Sequence, residues 1–200
     1  MDPISKLTEY FREFPGIGPR QAKRFVYFLL TRNASYLDEI SRLILEVKKS
    51  VHVCPSCFRF FQGSASGPCP ICSNKDRKTD QLLVVSRDVD LEAIEKSKFY
   101  NGYYFILGGT IPILDNEPER RVRIKELKEK IIKSKPTEVI LSLNVNAEGE
   151  NTTTYLKSVI SAIDSNIKIT VLGRGLSTGS ELEYSDSDTI KNALKNRESI

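Results

Sequence analysis

The chain has 200 residues, 40% of them hydrophobic and 28% charged, with four Cys, one His and no Trp. That balance excludes a disordered tail and a fibrous repeat. No apolar run approaches the roughly 18 to 20 residues that cross a bilayer, and Asp2 and Pro3 stand where a secretory signal would carry basic and then apolar residues. The expectation is a cytoplasmic protein with no membrane partner. The net charge is +4, and its distribution says more than its size. Residues 1–80 carry 13 Lys/Arg against 8 Asp/Glu, whereas residues 81–200 carry 17 against 18.

The first 50 residues predict three helices. Asp2 suits a cap and Pro3 a first-turn position, and Ile4, Leu7, Phe11 and Phe14 follow on one face until Pro15 stops the pattern. A second helix starts at Pro19 and buries Ala22, Phe25, Val26 and Leu29. The third starts at Ser35, with Asp38 echoing a capping box, and its apolar stripe is Leu37, Ile40, Leu43, Ile44 and Val47. These three faces are expected to close a small bundle.

Between the first two helices lies Phe14-Pro-Gly-Ile-Gly-Pro-Arg-Gln-Ala-Lys-Arg-Phe25. Gly16 and Gly18 permit positive φ and the close approach of another backbone. The new helix offers free N–H groups and the positive end of its dipole, which suits a phosphate. With Arg20, Lys23 and Arg24 just behind, the pattern points to a sugar–phosphate backbone, bound without regard to sequence and sensitively to salt. The competing reading is a tight turn followed by a solvated basic face. The stretch resembles a helix-hairpin-helix DNA-binding motif.

Cys54-Pro-Ser-Cys57 and Cys69-Pro-Ile-Cys72 follow, two Cys-x-x-Cys pairs 11 residues apart that use every cysteine in the chain. Four thiolates at this spacing form a tetrahedral metal site, for which one structural Zn²⁺ is the expected occupant. Iron in a rubredoxin-like site, two disulfides and redox-active thiols are the alternatives. The loop from Gly63 to Gly67 favours a closed site with no open coordination position. His52 reads as a strand or packing residue, and a single histidine so placed leaves Ser/His/Asp or Cys/His catalysis without material.

From Gln81 onward strands and helices alternate. Strands are predicted at Leu82–Val85, Tyr103–Leu107, Glu138–Leu143 and Lys168–Leu172. Helices are predicted at Asp90–Lys96, Glu119–Ser134, Asn151–Ile163 and Asp188–Asn196. The pattern implies a mainly parallel α/β sheet with any site at the carboxyl ends of its strands. Those ends carry Asp88 and Asp90, then Gly108 and Gly109, then Glu148 and Glu150, and last Arg174 to Gly179. Gly175 to Gly179 has neither the spacing nor the Lys of a P-loop, so an ATPase is not expected.

The order of parts resembles the RecR family of bacterial recombination mediators. The resemblance rests on Gly16-Ile-Gly-Pro19, the paired Cys-x-x-Cys, Glu138-Val-Ile-Leu141 followed by Glu148-Gly-Glu150, and the closing Arg174-Gly-Leu-x-x-Gly-x-Glu-Leu-Glu-Tyr184. It implies an α/β fold: a helix-hairpin-helix bundle over 1–52, a Cys₄ zinc finger over 53–78, a Toprim-like domain over 79–174 and an oligomerisation segment over 175–200. It further implies a non-catalytic protein that binds single- and double-stranded DNA, forms dimers or ring-shaped tetramers, and joins RecO, and in some settings RecF, to load RecA onto single-stranded DNA. Arg20, Lys23 and Arg24 would then face DNA. Toprim enzymes hold Mg²⁺ with a Glu after the first strand and an Asp-x-Asp pair after a later one, but here Ser86 and Asn144-x-Asn146 stand in those places. The alternative activity is a metal-dependent Toprim nuclease or nucleotidyl transferase. Asp88, Asp90, Glu148 and Glu150 are left as an acidic edge, which the resemblance links to RecO, while Asp88 and Asp90 are equally suited to cap the next helix. The loop from Thr110 to Pro118 departs from the family pattern.

Overall fold

A computed structural model describes residues 1–64, 66–115 and 117–197, so Ala65 in the glycine–serine loop, Asn116 and the last three residues of the expected carboxyl segment lie outside it. The chain forms two compact units, Met1–His52 and Val53–Ile200. Among the described residues no helix is long and apolar enough to cross a membrane.

In the first unit, helix α1 spans Pro3–Arg12, α2 Pro19–Leu30 and α3 Ala34–Ser50. Asp2 caps α1 by accepting from the amides of Ile4 and Ser5 at 3.0 and 3.1 Å. The Ser5 hydroxyl, also bound to Asp2, is the largest of the influences that hold its carboxyl below the usual range. Phe11 packs edge-on against Phe14 and Phe25, with ring centroids 5.6 and 5.8 Å away. Only Ala22 and Val26 of α2 are fully buried in this unit. The bundle expected from the three stripes does not close. α3 is capped by Asn33, whose side chain accepts from Tyr36 N–H at 2.9 Å, and it buries no residue. Leu43, Ile44 and Val47 stand exposed. Helical spacing shows that a face prefers cover; it does not say that the same chain supplies it.

Where the first unit ends and the second begins, β1 (Val51–Val53), which contains His52, pairs with β2 (Phe60–Gln62) in a two-stranded sheet, and in the second unit the short α4 spans Pro70–Ser73. Four parallel strands follow in the order β4-β3-β5-β6: β3 is Lys78–Val85, β4 Gly102–Ile106, β5 Glu138–Ser142 and β6 Lys168–Val171. β3 is central, pairing Val85 with Ile106 on one side and Ser142 on the other. Its run of Leu and Val is buried on both faces, as a parallel sheet requires.

The alternation of strand side chains splits the core in two. Leu82, Val84, Phe105, Val139 and Leu141 pack with Leu127 and Ile131 of α7 (Ile124–Ser134) and Leu156 and Ile160 of α8 (Ala147–Ile163). Leu83, Val85, Tyr104 and Ile106 face the other way, onto Leu91 of α5 (Asp88–Ser97) and onto Cys54, Cys57, Cys69 and Ile71. The four-cysteine segment thus covers part of one sheet face, where a doubly wound fold would place another helix.

The single helix expected over Glu119–Ser134 is two, α6 (Pro118–Arg121) and α7. Between them Val122 is extended and the amide of Arg123 donates to the Leu107 carbonyl at 2.9 Å. The Arg123 guanidinium donates to the Ile106 carbonyl at 3.0 Å and lies 5.2 Å from the Phe58 ring centre. A uniformly charged run gives no warning of such a tertiary anchor.

A second anchor is an ion pair between Arg77, whose side chain is 8% exposed, and Glu95 of α5, which also accepts from the Tyr104 hydroxyl at 2.8 Å. Removing one partner of a buried pair strands the other without compensation. Glu95→Ala is expected to cost about 2 kcal/mol, discounted from the ~3–5 kcal/mol of a fully buried pair because Glu95 is partly exposed. Scanning calorimetry will register that as a fall of roughly 4–8 °C in melting temperature.

Candidate nucleic-acid interface and metal centre

The hairpin is built by its two glycines in different ways. Gly16 has φ +75°, the left-handed region that favours glycine, and the Ile17 amide closes the turn on the Phe14 carbonyl at 3.0 Å. Gly18, expected to share that freedom, is extended at φ −83°, ψ 170°, a conformation open to any residue. A Cβ built there or at Gly16 meets nothing within 4 Å, so the fold itself does not require glycine at position 18 and the surface there is open to an approaching backbone. Gly18 is the N-cap of α2, Pro19 occupies the first turn, and no side chain caps this end. α1, α3 and α8 are capped by Asp2, Asn33 and Asn146, whereas α2, like α4, α6 and α7, has no side-chain cap and presents its first amides and positive dipole end openly.

Arg20, Lys23 and Arg24 are exposed on α2, Arg20 and Arg24 turned away from buried Ala22 and Val26 and Lys23 flanking that face beside α1, and none forms an ion pair among the described residues. Lys23 leans over the Tyr27 ring, its Nζ 5.9 Å from the centre. An open helix start flanked by three free cations attracts a phosphodiester and offers nothing that reads a base edge.

The four cysteines converge, with all Sγ atoms within 4.8 Å of one another. All are free thiols, and the Cys57 and Cys69 sulfurs are 3.6 Å apart, well beyond a disulfide bond. Cys54 closes its turn by accepting from the Phe58 amide and donating to the Arg59 carbonyl, both at 2.9 Å, with Phe58 at φ +64°. Its sulfur accepts from the Cys69 amide at 3.3 Å, and Cys69 stands at the N-cap of α4. The hydrogen bond between Cys57 and Cys69 pushes the Cys57 thiol far up and holds Cys69 far below the ordinary thiol range. Four thiolates crowded this closely in a buried site would be tolerated only with a compensating cation. The donor set and its convergence fit a structural metal ion held by Cys54, Cys57, Cys69 and Cys72, which would cross-link the segment and leave no position for substrate.

The centre is tied to the sheet. The Cys57 carbonyl accepts from the Ile106 amide of β4 at 2.8 Å. Phe58 packs edge-on against Phe105 at 5.4 Å.

The four acidic residues lie where neighbouring strands end: Asp88 and Asp90 in the first turn of α5 after β3, Glu148 and Glu150 in the first turn of α8 after β5. Each has an internal partner. Asp88 accepts from the Phe60 amide at 2.7 Å, fastening the finger to this edge, and Asp90 accepts from the Arg87 amide at 2.9 Å in a capping box. Glu148 accepts from the Thr110 hydroxyl at 2.9 Å, and Glu150 pairs with Arg174. Among the described residues only the cysteines bring three or more metal-binding groups together, so these carboxylates do not close a cation cage. Ser86 is buried with its hydroxyl unpartnered. Asn146 caps α8, accepting from the Gly149 amide at 2.8 Å. Gly149 allows that turn, since a Cβ there would fall 1.9 Å from the Asn144 carbonyl oxygen.

Residues 4–48 match the family described as RecR, helix-hairpin-helix; residues 80–173 match the Toprim domain; and residues 175–198 match RecR, C-terminal. The recombination protein RecR of Prochlorococcus marinus (strain AS9601) is 36% identical over 195 residues, covering 98% of this chain and 95% of that protein. The chain belongs to the RecR family. Recombination protein RecR of Gloeobacter violaceus is 35% identical over 99% of this chain and 98% of its own length, and that of Herpetosiphon aurantiacus 36% over 98% and 94%. Membership places the hairpin, the cysteine centre and the parallel sheet in one RecR framework, as their order in the sequence implies. The RecR C-terminal stretch contains Tyr184, which is exposed, and α9 (Ser187–Lys195), which Asp186 caps. Asn33, Arg123 and the link from Asp88 to Phe60 escape sequence reading. Only the Asn33 cap has a local signal there, an Asn immediately before an apolar stripe.

Proposed function

We propose that this chain is a non-catalytic DNA-binding mediator of recombinational repair, a clamp that works with RecO, and with RecF in some settings, to help load RecA onto single-stranded DNA. The observation that carries the reading is the uncapped start of α2 with Gly18 in front and Arg20, Lys23 and Arg24 behind, exposed and without an ion pair among the described residues. Grip on phosphates alone suits a protein that must hold single- and double-stranded DNA of any sequence. Relatives named recombination protein RecR support the repair role, which in a bacterial cell is carried out in the cytoplasm. The resident metal is one Zn²⁺ per chain, a choice supported by four thiolates at finger spacing. Ser86, Asn144 and Asn146, in place of the carboxylates that hold Mg²⁺ in Toprim enzymes, support an edge that binds instead of cutting.

Asp88, Asp90, Glu148 and Glu150 are proposed to receive RecO through charge complementarity. Self-assembly as a dimer or tetramer is supported by the uncovered stripe on α3, because Leu43, Ile44 and Val47 remain 43–65% exposed, covering the rest of each is worth roughly half of the ~1.5–3 kcal/mol of a full burial, and a paired interface counts them twice. Leu43→Lys with Val47→Lys is expected to lower the assembly by at least one step, from tetramer to dimer or from dimer to monomer, with an unchanged circular dichroism spectrum. Light scattering reads the mass, and an unaltered mass would remove α3 from the interface. The functional reading itself is tested by charge reversal in the hairpin, with strand cleavage in Mg²⁺ as the contrary outcome.

A further inference from the structure

After β4 the chain turns through Gly108 and Gly109 and runs out along the start of α8. Ile111 is buried, and its amide donates to the Thr152 hydroxyl at 2.8 Å. The Asn151 side chain donates to the carbonyls of Ile111 and Pro112 at 3.1 and 3.2 Å, and the Thr110 hydroxyl donates to Glu148 at 2.9 Å. The Asp115 amide then closes a tight turn on the Pro112 carbonyl at 3.1 Å, while its carboxylate meets Arg121 at 2.9 Å. The two central residues of this turn are Ile113, 62% exposed, and Leu114, 91% exposed.

That composition runs against turn chemistry. Central turn positions favour Gly, Pro, Asn, Asp and Ser, whose conformations or side-chain hydrogen bonds suit them. Here two large aliphatic side chains stand in water at the tip of a loop whose base is held from three residues of α8. A loop that only connects would carry polar residues at its tip. Val145, in the turn before α8, is likewise exposed. These apolar groups sit at the carboxyl edge of the sheet, among its carboxylates. Of those, Asp115, Glu117 and Glu150 are paired with Arg121, Arg120 and Arg174, whereas Asp88, Asp90 and Glu148 meet no cation among the described residues. Arg87 is the unpaired cation nearest in sequence to Asp88 and Asp90. Counting Arg87, Arg120, Arg121 and Arg174 against Asp88, Asp90, Asp115, Glu117, Glu148 and Glu150, six carboxylates minus four cations leave an excess of two negative charges around an apolar tip.

We propose that Ile113 and Leu114 form the apolar anchor of a docking surface whose occupant is a basic protein, one that presents an apolar pocket rimmed by Lys or Arg. The charge decides among occupants. Nucleic acid and anionic lipid are repelled by the same carboxylates, and a second copy docking edge to edge would set acid against acid. The inference rests on the proposal that this edge receives RecO, and adds the apolar contact that sets the strength of the complex, with the carboxylates governing its rate and salt dependence.

The test is calorimetric titration of purified RecO into wild-type protein, into Ile113→Ser with Leu114→Ser, and into Glu148→Gln, each at low and high salt. Both apolar side chains are exposed, so the double variant is expected to melt like the wild type. It is expected to bind RecO about tenfold or more weakly at both salt concentrations, as loss of a central anchor does. Glu148→Gln is expected to weaken binding only at low salt. Equal RecO binding by wild type and the double variant overturns the anchor and leaves the acidic edge standing. A wild-type protein that does not bind RecO overturns both. A double variant whose change is in self-association mass, with RecO binding intact, assigns the tip to a second copy and also overturns the proposal.

Discussion

Stripping the metal from the four-cysteine centre is expected to unfold far more than the 20-odd residues around it. Cys54, Cys57, Cys69 and Ile71 share a packed cluster with Leu83, Val85, Leu91, Tyr104 and Ile106, so the segment covers part of one face of the central sheet. Hydrogen bonds from Ile106 to the Cys57 carbonyl and from Phe60 to Asp88 fasten it at two strand ends. Structural zinc in finger peptides contributes about 10–16 kcal/mol of apparent binding free energy, against a total of about 5–15 kcal/mol for a typical domain. Part of that is returned when the free thiols take up protons and repack. Cys57→Ser, or exhaustive chelation, is expected to lower the melting temperature of the Val53–Ile200 unit by at least about 10 °C, the equivalent of roughly 3–5 kcal/mol at this chain length. Scanning calorimetry alongside elemental analysis checks both halves, and one zinc per chain is the expected ratio. An apoprotein that melts at the holoprotein's temperature would reduce the centre to an incidental metal site.

The same residues show why the sequence reveals some of this and conceals the rest. Two Cys-x-x-Cys pairs announce a metal site because the chemistry lies in the residue types and their spacing, and four parallel strands are announced because burial on both faces demands unbroken runs such as Leu82–Val85. Partnership is not written locally. Leu43, Ile44 and Val47 have the spacing of a core helix, yet nothing in their own unit buries them. Asp88 looks like a cap or a partner residue, and only the folded chain shows that it receives the Phe60 amide from 28 positions upstream. Gly18 looks like a positive-φ glycine, yet it is extended and a Cβ there would meet nothing. The hydroxyl of Ser86 and the caps of Asn146 show the carboxylate positions of a Toprim site turned over to packing and helix initiation.

Reversing two charges on α2 is expected to abolish DNA binding with little effect on the fold. Arg20 and Lys23 are exposed, make no ion pair among the described residues and are not among the buried residues of α2, although Lys23 lines a cleft with Asp2, Thr8 and Glu9 of α1, so Arg20→Glu with Lys23→Glu changes the charge beside α1 without removing a buried contact. The carboxylate placed at position 20 falls in the first turn, where the dipole favours it, whereas the one at position 23 lies beyond that turn and beside Asp2 and Glu9, so stability is expected to fall slightly at most. Binding is another matter, because the two cations become two repulsive groups beside the open amides that would receive the phosphate. Each phosphate contact contributes about 0.9 to the slope of log affinity against log salt on duplex DNA and about 0.7 on single strands, so losing two per chain flattens the slope by roughly 1.4–1.8 for every subunit engaged. If several chains in one assembly hold the same DNA, the weakened contacts compound, and the overall loss is expected to reach at least about a hundredfold. Fluorescence anisotropy over a salt series, on single- and double-stranded oligonucleotides of unrelated sequence, reads both quantities, and light scattering confirms that the assembly has not changed. Equal losses across sequences mark a contact to the backbone alone. Affinity and salt slope both unchanged would move DNA binding off the hairpin and leave α2 as a plain turn with a solvated basic face.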